Sequence, residues 1–332
     1  MRTPGFLCSL WLVALAANVC AQNTVAPAPI PGTPAAYTGL QFPPLRKIPI
    51  PDVATYTLPN GMKLYLLEDH ELPIVSGAVR VRTGNLFDPA DKVGLASIVG
   101  SVMRSGGTKS KTGDQIDEEL ENIAASVESN IGESSGSVSF SVMKENTDEV
   151  LGIFKDVLTQ PEFRQEKIDL VKSEMRSGIA RRNDDPHGVA SREFVDLVYG
   201  KDTPYGWDVE YATLDRIARP EVIAFYKRYY FPANMLMAVW GDFSTAQMQA
   251  KLTKLFGGWN YEQPKTPPFP PVHQKAQPGI YLARKDDVTQ TFFIEGHLAG
   301  QLDDKDFPAL EVMGDILGGG FQSRLVQRVA PS

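Results

Sequence analysis

The segment from Gly94 to Thr108 constrains the fold of this chain more than any other part of it. Its polar residues Ser97, Ser101 and Arg104 recur at i, i+4 and i+7 and share one helical face. The apolar residues that form the opposing stripe are Leu95, Val99, Val102 and Met103. The segment is therefore predicted to be an amphipathic helix that buries one face against a second layer of structure. On periodicity alone, the serines are ordinary polar residues of a surface helix.

Strand patterns lie on both sides of this helix. Residues 56–64 predict two strands joined by a tight Asn-Gly turn. Over 75–82, apolar and polar residues alternate with a period of two, which indicates a strand with one buried face. The apolar run 235–240 is too continuous for an edge strand. Helices are predicted over 114–125 and 166–182, and the aromatic-rich helix that includes Phe225 is expected to stop before Pro232.

These segments together resemble the insulinase/pitrilysin family of zinc peptidases. In that family a Gly-Leu-Ala lead-in runs into a helical His-x-x-Glu-His and ends near a Gly-Thr, as Gly94-Leu95-Ala96 and Gly107-Thr108 frame the helix here. The opening strand and the passage from Pro232 to Asp242 resemble other family segments. The resemblance covers roughly residues 53 to 332 and implies an α+β fold with two homologous halves, each a mixed, mostly antiparallel sheet with helices packed on one face.

The chemical positions of the family's inverted zinc motif carry Ser97, Gly100 and Ser101 in this chain. The motif requires two imidazoles one helical turn apart for Zn²⁺ and a glutamate as general base. A serine hydroxyl is a far weaker zinc donor than imidazole, and Gly100 has no side chain that could accept a proton. We therefore predict no intact metal site, no zinc cofactor and no hydrolysis by this chain.

Two further site predictions follow from the resemblance. Glu174 lies close to where the family places its third zinc ligand; the alternative is an ordinary exposed helix carboxylate. Peptides in this family add as a strand to a sheet edge through backbone hydrogen bonds. The matching substrate-binding edge is predicted after the helix at 114–125; the alternative is a plain connecting strand. The residues of this edge are Val127, Glu128, Ser129 and Asn130.

The N-terminal residues 1–21 are predicted to be a secretory signal peptide. An apolar run follows Arg2 and ends in a Val-Cys-Ala cleavage pattern, and the segment is too short to span a membrane. Both cysteines, Cys8 and Cys20, lie within it, so the exported chain would contain no disulfide. The protein is therefore expected in the periplasm or outside the cell, with no transmembrane segment after cleavage.

Composition shifts divide the remaining chain. A Pro/Ala-rich tether at 22–52 precedes an N-terminal peptidase-like domain at 53–262, and a Pro-rich linker at 263–278 leads to a second homologous domain at 279–332. That second domain is much shorter than the first and is expected to be incomplete. The chain has 40 acidic and 33 basic residues, which disfavours nucleic-acid binding.

The leading functional hypothesis is a non-catalytic peptidase homologue, a pseudoenzyme that pairs with a zinc-bearing relative as a heterodimer to bind and process peptides or unfolded polypeptides. One alternative is an active zinc metalloendopeptidase with an unusual site, which would bring Glu174 together with distant histidines such as His187. Another alternative is a stand-alone peptide-binding scaffold with no catalytic partner.

Overall fold

The computed structural model describes residues 43–44, 46–47, 50–259, 263–272 and 277–329. The predicted signal peptide at 1–21 and most of the predicted tether at 22–52 lie outside the described residues.

Six strands form one mixed sheet in the order β1-β2-β6-β3-β5-β4. The strands are β1 (Ala54–Thr57), β2 (Lys63–Glu68), β3 (Ile74–Val81), β4 (Ser126–Ile131), β5 (Gly136–Met143) and β6 (Met235–Gly241). The β2 and β6 strands run parallel, and all the other neighbouring pairs are antiparallel. The predicted α+β class with a mixed, mostly antiparallel sheet is confirmed.

The described helices connect and cover these strands. They are α1 (Leu95–Ser105), α2 (Gly113–Asn122), α3 (Thr147–Thr159), α4 (Gln165–Arg181), α5 (Pro186–Tyr199), α6 (Tyr211–Asp215), α7 (Arg219–Tyr229), α8 (Thr245–Phe256), α9 (Phe307–Gly318) and α10 (Arg324–Val329). The helices that the sequence predicted over 94–108, 114–125 and 166–182 are α1, α2 and α4, and the aromatic-rich helix α7 ends before Pro232 as expected.

The predicted hairpin between β1 and β2 is present. Leu58 N–H donates to Met62 O at 2.8 Å, and Gly61 adopts a φ of 89°, a left-handed conformation that favours glycine. The Asn60 side-chain amide donates to Phe256 O at 2.8 Å and so joins the turn to the end of α8.

The β6 strand lies inside the sheet, between β2 and β3, as its apolar run predicts. Its side chains nevertheless alternate in burial: Met237 and Val239 are buried, whereas Leu236 and Trp240 are 42% and 44% exposed. The reason is that successive side chains of a strand point to opposite faces, and the helices cover only one face here. The sheet therefore keeps an open face that carries apolar side chains.

The core lies between the covered face of the sheet and the helices. Helix α1 is its central element, because Ile98, Val99, Val102 and Met103 are all fully buried. In α3, Phe154 packs edge-to-face against Phe140 of β5, with ring centroids 4.9 Å apart. The buried face of α1 therefore fixes where the polar positions of this helix lie relative to the sheet.

The described part of the Pro-rich segment, 263–272, lies against the N-terminal domain. The Phe269 ring stacks on Phe87 with centroids 5.2 Å apart, and the Arg82 guanidinium lies 4.8 Å from the centre of the same ring. The Tyr205 hydroxyl donates to Pro270 O at 2.7 Å. In the following described residues, 277–329, the structure contains α9 and α10 and no strand. The predicted domain boundaries stay predictions.

Candidate functional site

The start of α1 is held by a buried carboxylate. Asp88 accepts hydrogen bonds from Gly94 N–H and Ala96 N–H, both at 2.8 Å, and these amides belong to the helix terminus that lacks intrahelical acceptors. Burial raises the pKa of Asp88 to about 7, against the lowering effect of hydrogen bonds from Ala96, Gly94 and Leu95. Asp88 therefore fixes where the helix begins and also titrates near neutral pH.

The raised pKa of Asp88 predicts a pH dependence of stability. Because the folded state binds this proton more tightly than the unfolded state, the free energy of unfolding should fall as pH rises from about 4 to about 7 and then level off. A tenfold difference in proton affinity corresponds to about 1.4 kcal/mol, so the whole change is at most about 4 kcal/mol. Urea unfolding of wild type and Asp88→Asn at several pH values measures it. Equal pH dependence in the two proteins would contradict this assignment.

Helix α1 places Ser97 and Ser101 one turn apart, as the sequence predicts. The Ser97 hydroxyl is partly buried and donates to the Asn85 side-chain oxygen at 3.1 Å, whereas Ser101 is exposed. Gly100 lies between them and is buried. Both side chains are neutral hydroxyls, which are far weaker zinc ligands than the imidazoles that the family's motif requires.

Gly100 is in direct contact with the backbone of β4. A Cβ atom added at Gly100 would lie 2.8 Å from the carbonyl carbon of Asn130 and closer still to the backbone nitrogen of Ile131. The Ser129 hydroxyl donates to Gly100 O at 2.6 Å and ties the helix to the strand. The space that a glutamate side chain at this position would need is therefore occupied by β4.

Glu174, the predicted remnant ligand, lies on α4, which packs against α1. Its side chain is exposed, whereas Ile168 of the same helix is buried in the core and Val171, Met175 and Ile179 pack against it. His187 lies in the first turn of α5 with its ring edge-to-face against Phe292, centroids 6.0 Å apart. Within the described ranges, no three His, Cys, Asp or Glu side chains are grouped to hold a metal ion. The residues at these positions do not fit the zinc ion that the resemblance implies.

The predicted substrate-binding residues lie on β4, which is an edge strand with β5 as its neighbour in the sheet. In antiparallel pairs, alternate residues direct both backbone groups to the same side. Gly132 N–H donates to Ser135 O at 2.9 Å, and this register turns Glu128 and Asn130 toward β5. The backbones of Val127, Ser129 and Ile131 therefore face the free edge.

Arg104 is a site residue that the sequence did not single out for a role. Its Nε donates to Val127 O at 3.0 Å, and its guanidinium forms an ion pair with Asp117 of α2. The one available signal was its position on the polar face of α1, at i+7 from Ser97. Its contact with β4 depends on how the helix meets the strand, which no local pattern reveals.

Among the described helices, none combines the length and the apolarity needed to span a membrane.

Two protein-family models together match most of the chain. Residues 64–198 match the family described as insulinase (peptidase family M16), and residues 216–330 match the family described as peptidase M16 inactive domain. The second match begins before β6, so it includes one strand of the six-stranded sheet.

Among the curated relatives, some are named as zinc proteases and one is named as a non-peptidase homolog. An uncharacterized zinc protease of Rickettsia felis is 23% identical over 274 residues, covering 82% of this chain and 65% of that protein. The non-peptidase homolog YmxG of Helicobacter pylori is 25% identical over 270 residues, covering 79% of this chain and 60% of that protein. The chain thus spans less than two thirds of the length of these relatives.

Solved structures share the fold. A peptidase M16 inactive domain from Pseudomonas fluorescens has a TM-score of 0.70 at 23% identity, covering 84% of this chain and 68% of that one. The periplasmic protease PqqL from Escherichia coli has a TM-score of 0.58 at 20% identity, covering 66% of this chain and 25% of that one. Together these matches show that the chain is a member of the insulinase family, peptidase family M16.

Proposed function

We propose that this protein is a non-catalytic member of the family, exported from the cytoplasm, that binds extended peptides and pairs with a zinc-bearing relative that hydrolyses them. The observation that carries the proposal is the closed contact between Gly100 and β4, because the chain lacks both the general base and the room for one. Ser97 and Ser101 add hydroxyls where zinc needs imidazoles.

Peptide binding is supported by the geometry of β4. An extended chain can pair with the outward backbone groups of an edge strand, and Val127, Ser129 and Ile131 direct theirs away from β5. Of these groups, Val127 O accepts a hydrogen bond from Arg104. The exposed side chains of Glu128 and Asn130 lie beside that edge and would contact the side chains of a bound peptide.

The described residues leave apolar surface open on α9, where the remainder of the predicted incomplete domain or a partner chain would pack. In α9, Val312 and Ile316 are 59% and 50% exposed, and Met313 and Leu317 are exposed beside them. Contiguous exposed apolar side chains mark surfaces that another polypeptide covers. Export is supported by the signal-peptide pattern of residues 1–21 and by the periplasmic description of PqqL.

Coexpression with a zinc-bearing homologue tests the pairing. We expect the two chains to copurify and the homologue's hydrolysis of β-casein to increase when this chain is present. The homologue expressed alone, at the same concentration, is the control. Separate elution of the two chains together with unchanged hydrolysis would refute the pairing and favour the stand-alone scaffold.

The metallopeptidase alternative is favoured by the zinc-protease names of the Rickettsia relatives. Metal analysis of the purified protein separates it from our proposal. We expect much less than one zinc per chain and no casein hydrolysis that a chelator abolishes. Stoichiometric zinc with chelator-sensitive hydrolysis would establish the alternative.

A further inference from the structure

We propose that Arg104 is a gate on the outer edge of β4: its guanidinium is hydrogen-bonded to the Val127 carbonyl and competes with the N–H of an extended peptide for that acceptor. The inference rests on the proposed peptide binding and assigns control of it to one side chain. Its partner in the closed state is Asp117 of α2.

The register of the sheet determines which backbone groups a peptide could use. From Gly132 back along β4, every second residue bonds to β5, so the pairs Asn130 with Ser137 and Glu128 with Ser139 are internal. The pairing of β3 leads to the same assignment. Asp242 N–H donates to Ile74 O at 2.9 Å, so Ile74 and every second residue after it bond to β6, and the residues between them bond to β5. The β5 residues that remain, including Ser137 and Ser139, therefore bond to β4. Val127 O is therefore an outward acceptor.

Arg104 is well placed to occupy that acceptor. It lies in the last turn of α1 and its side chain is only 17% exposed, so the guanidinium is largely withdrawn from water. Hydrogen bonds from charged donors are stronger than those from neutral amides. A peptide N–H arriving at Val127 O would therefore replace a stronger donor with a weaker one and would bind less tightly than at an open edge.

The other end of the same edge is restricted by the backbone of α1. Ile131 N lies against Gly100, and Ser129 is tied to Gly100 O through its hydroxyl. These contacts belong to the packing of the helix on the strand, whereas Arg104 is a long side chain that can rotate. Its guanidinium can stay paired with Asp117 while it releases Val127, because Asp117 is 44% exposed at the surface of α2.

Binding of fluorescein-labelled β-casein, an unfolded polypeptide, measures the gate by fluorescence anisotropy. Arg104→Met should bind about tenfold more tightly than wild type, because the acceptor is free. Arg104→Lys keeps the charge but cannot reproduce the Nε contact, so its affinity should lie between the two. Lys254→Met is the matched control: it removes one exposed positive charge from α8, which packs beside β2, and should bind like wild type.

The double variant Arg104→Met/Ser129→Pro tests whether casein binds at the outer edge of β4. Proline at 129 removes an outward N–H without breaking the pairing to β5, and it should abolish the gain. If wild type and Arg104→Met bind equally, the gate is refuted while peptide binding stands. If neither protein binds casein, the proposed peptide binding is refuted, and the proposed role of Arg104 is refuted as well. Circular dichroism of each variant confirms that it is folded.

Discussion

Replacing Gly100 with glutamate, the residue that the resemblance predicts as general base at this position, is expected to lower the free energy of unfolding by about 3 kcal/mol or more. The new Cβ would overlap the backbone of Asn130 and Ile131, so β4 or α1 must move. Overpacking a core costs roughly 1–3 kcal/mol, and a carboxylate buried without a partner adds to that cost. Urea unfolding followed by circular dichroism measures the change.

Alanine substitutions separate this contact from the general cost of changing a helical glycine. Gly100→Ala should lower the free energy of unfolding by about 1–3 kcal/mol. Gly152 in α3 and Gly178 in α4 are the matched controls, because a Cβ added at either has no atom within 4 Å. Alanine at either control position should raise the free energy of unfolding by about 0.5–1 kcal/mol, because alanine has a higher helix propensity than glycine. An increase with Gly100→Ala would show that the slot beside β4 is open.

The contact at Gly100 joins helix α1 to strand β4. A glycine at this position lets the helix and strand backbones touch, and Ser129 then hydrogen bonds to Gly100 O. The absence of a side chain at Gly100 and the close contact of α1 with β4 are therefore parts of one packing arrangement. The altered motif is part of the packing of the domain, so reversing it requires β4 to move as well as new side chains on α1.

Sequence patterns predicted the secondary structure around this site well. The alternation at Val75 to Val81 identified β3, and the continuous apolar run identified β6 as an interior strand, because burial periodicity is a local property. The exposure of Trp240 was not foreseen. An apolar side chain indicates that a face can be buried, but the second layer that covers it is a property of the whole fold.

For the candidate site, too, local features could be predicted from the sequence and contacts between distant segments could not. The prediction that Ser97 and Ser101 stand where the family has zinc ligands rests on residue identity alone. The contact of Gly100 with Ile131 and the hydrogen bond from Arg104 to Val127 join segments that are distant in sequence. Single-sequence reasoning could not supply them, because the distance between a helix and a strand is set by packing and not by either segment.

The second large effect is expected on Zn²⁺ affinity, when histidines replace Ser97 and Ser101. Ser97→His/Ser101→His should bind Zn²⁺ at least about a hundredfold more tightly than wild type, because loss of primary ligands costs more than the 10- to 100-fold typical of their supporting residues. The two side chains lie one turn apart on α1, and α4, which packs on that helix, carries Glu174. Competition with a zinc-binding dye measures the affinity.

The double variant also tests the assignment of Glu174 and the separation of binding from chemistry. Adding Glu174→Gln should remove most of the gained affinity if this carboxylate is the third ligand, whereas Glu166→Gln at the start of α4 should not. Zinc affinity that is indifferent to Glu174 would show that it is an ordinary surface carboxylate. Casein should remain uncut by the double variant, because Gly100 still offers no base and β4 still occupies the space where one would stand.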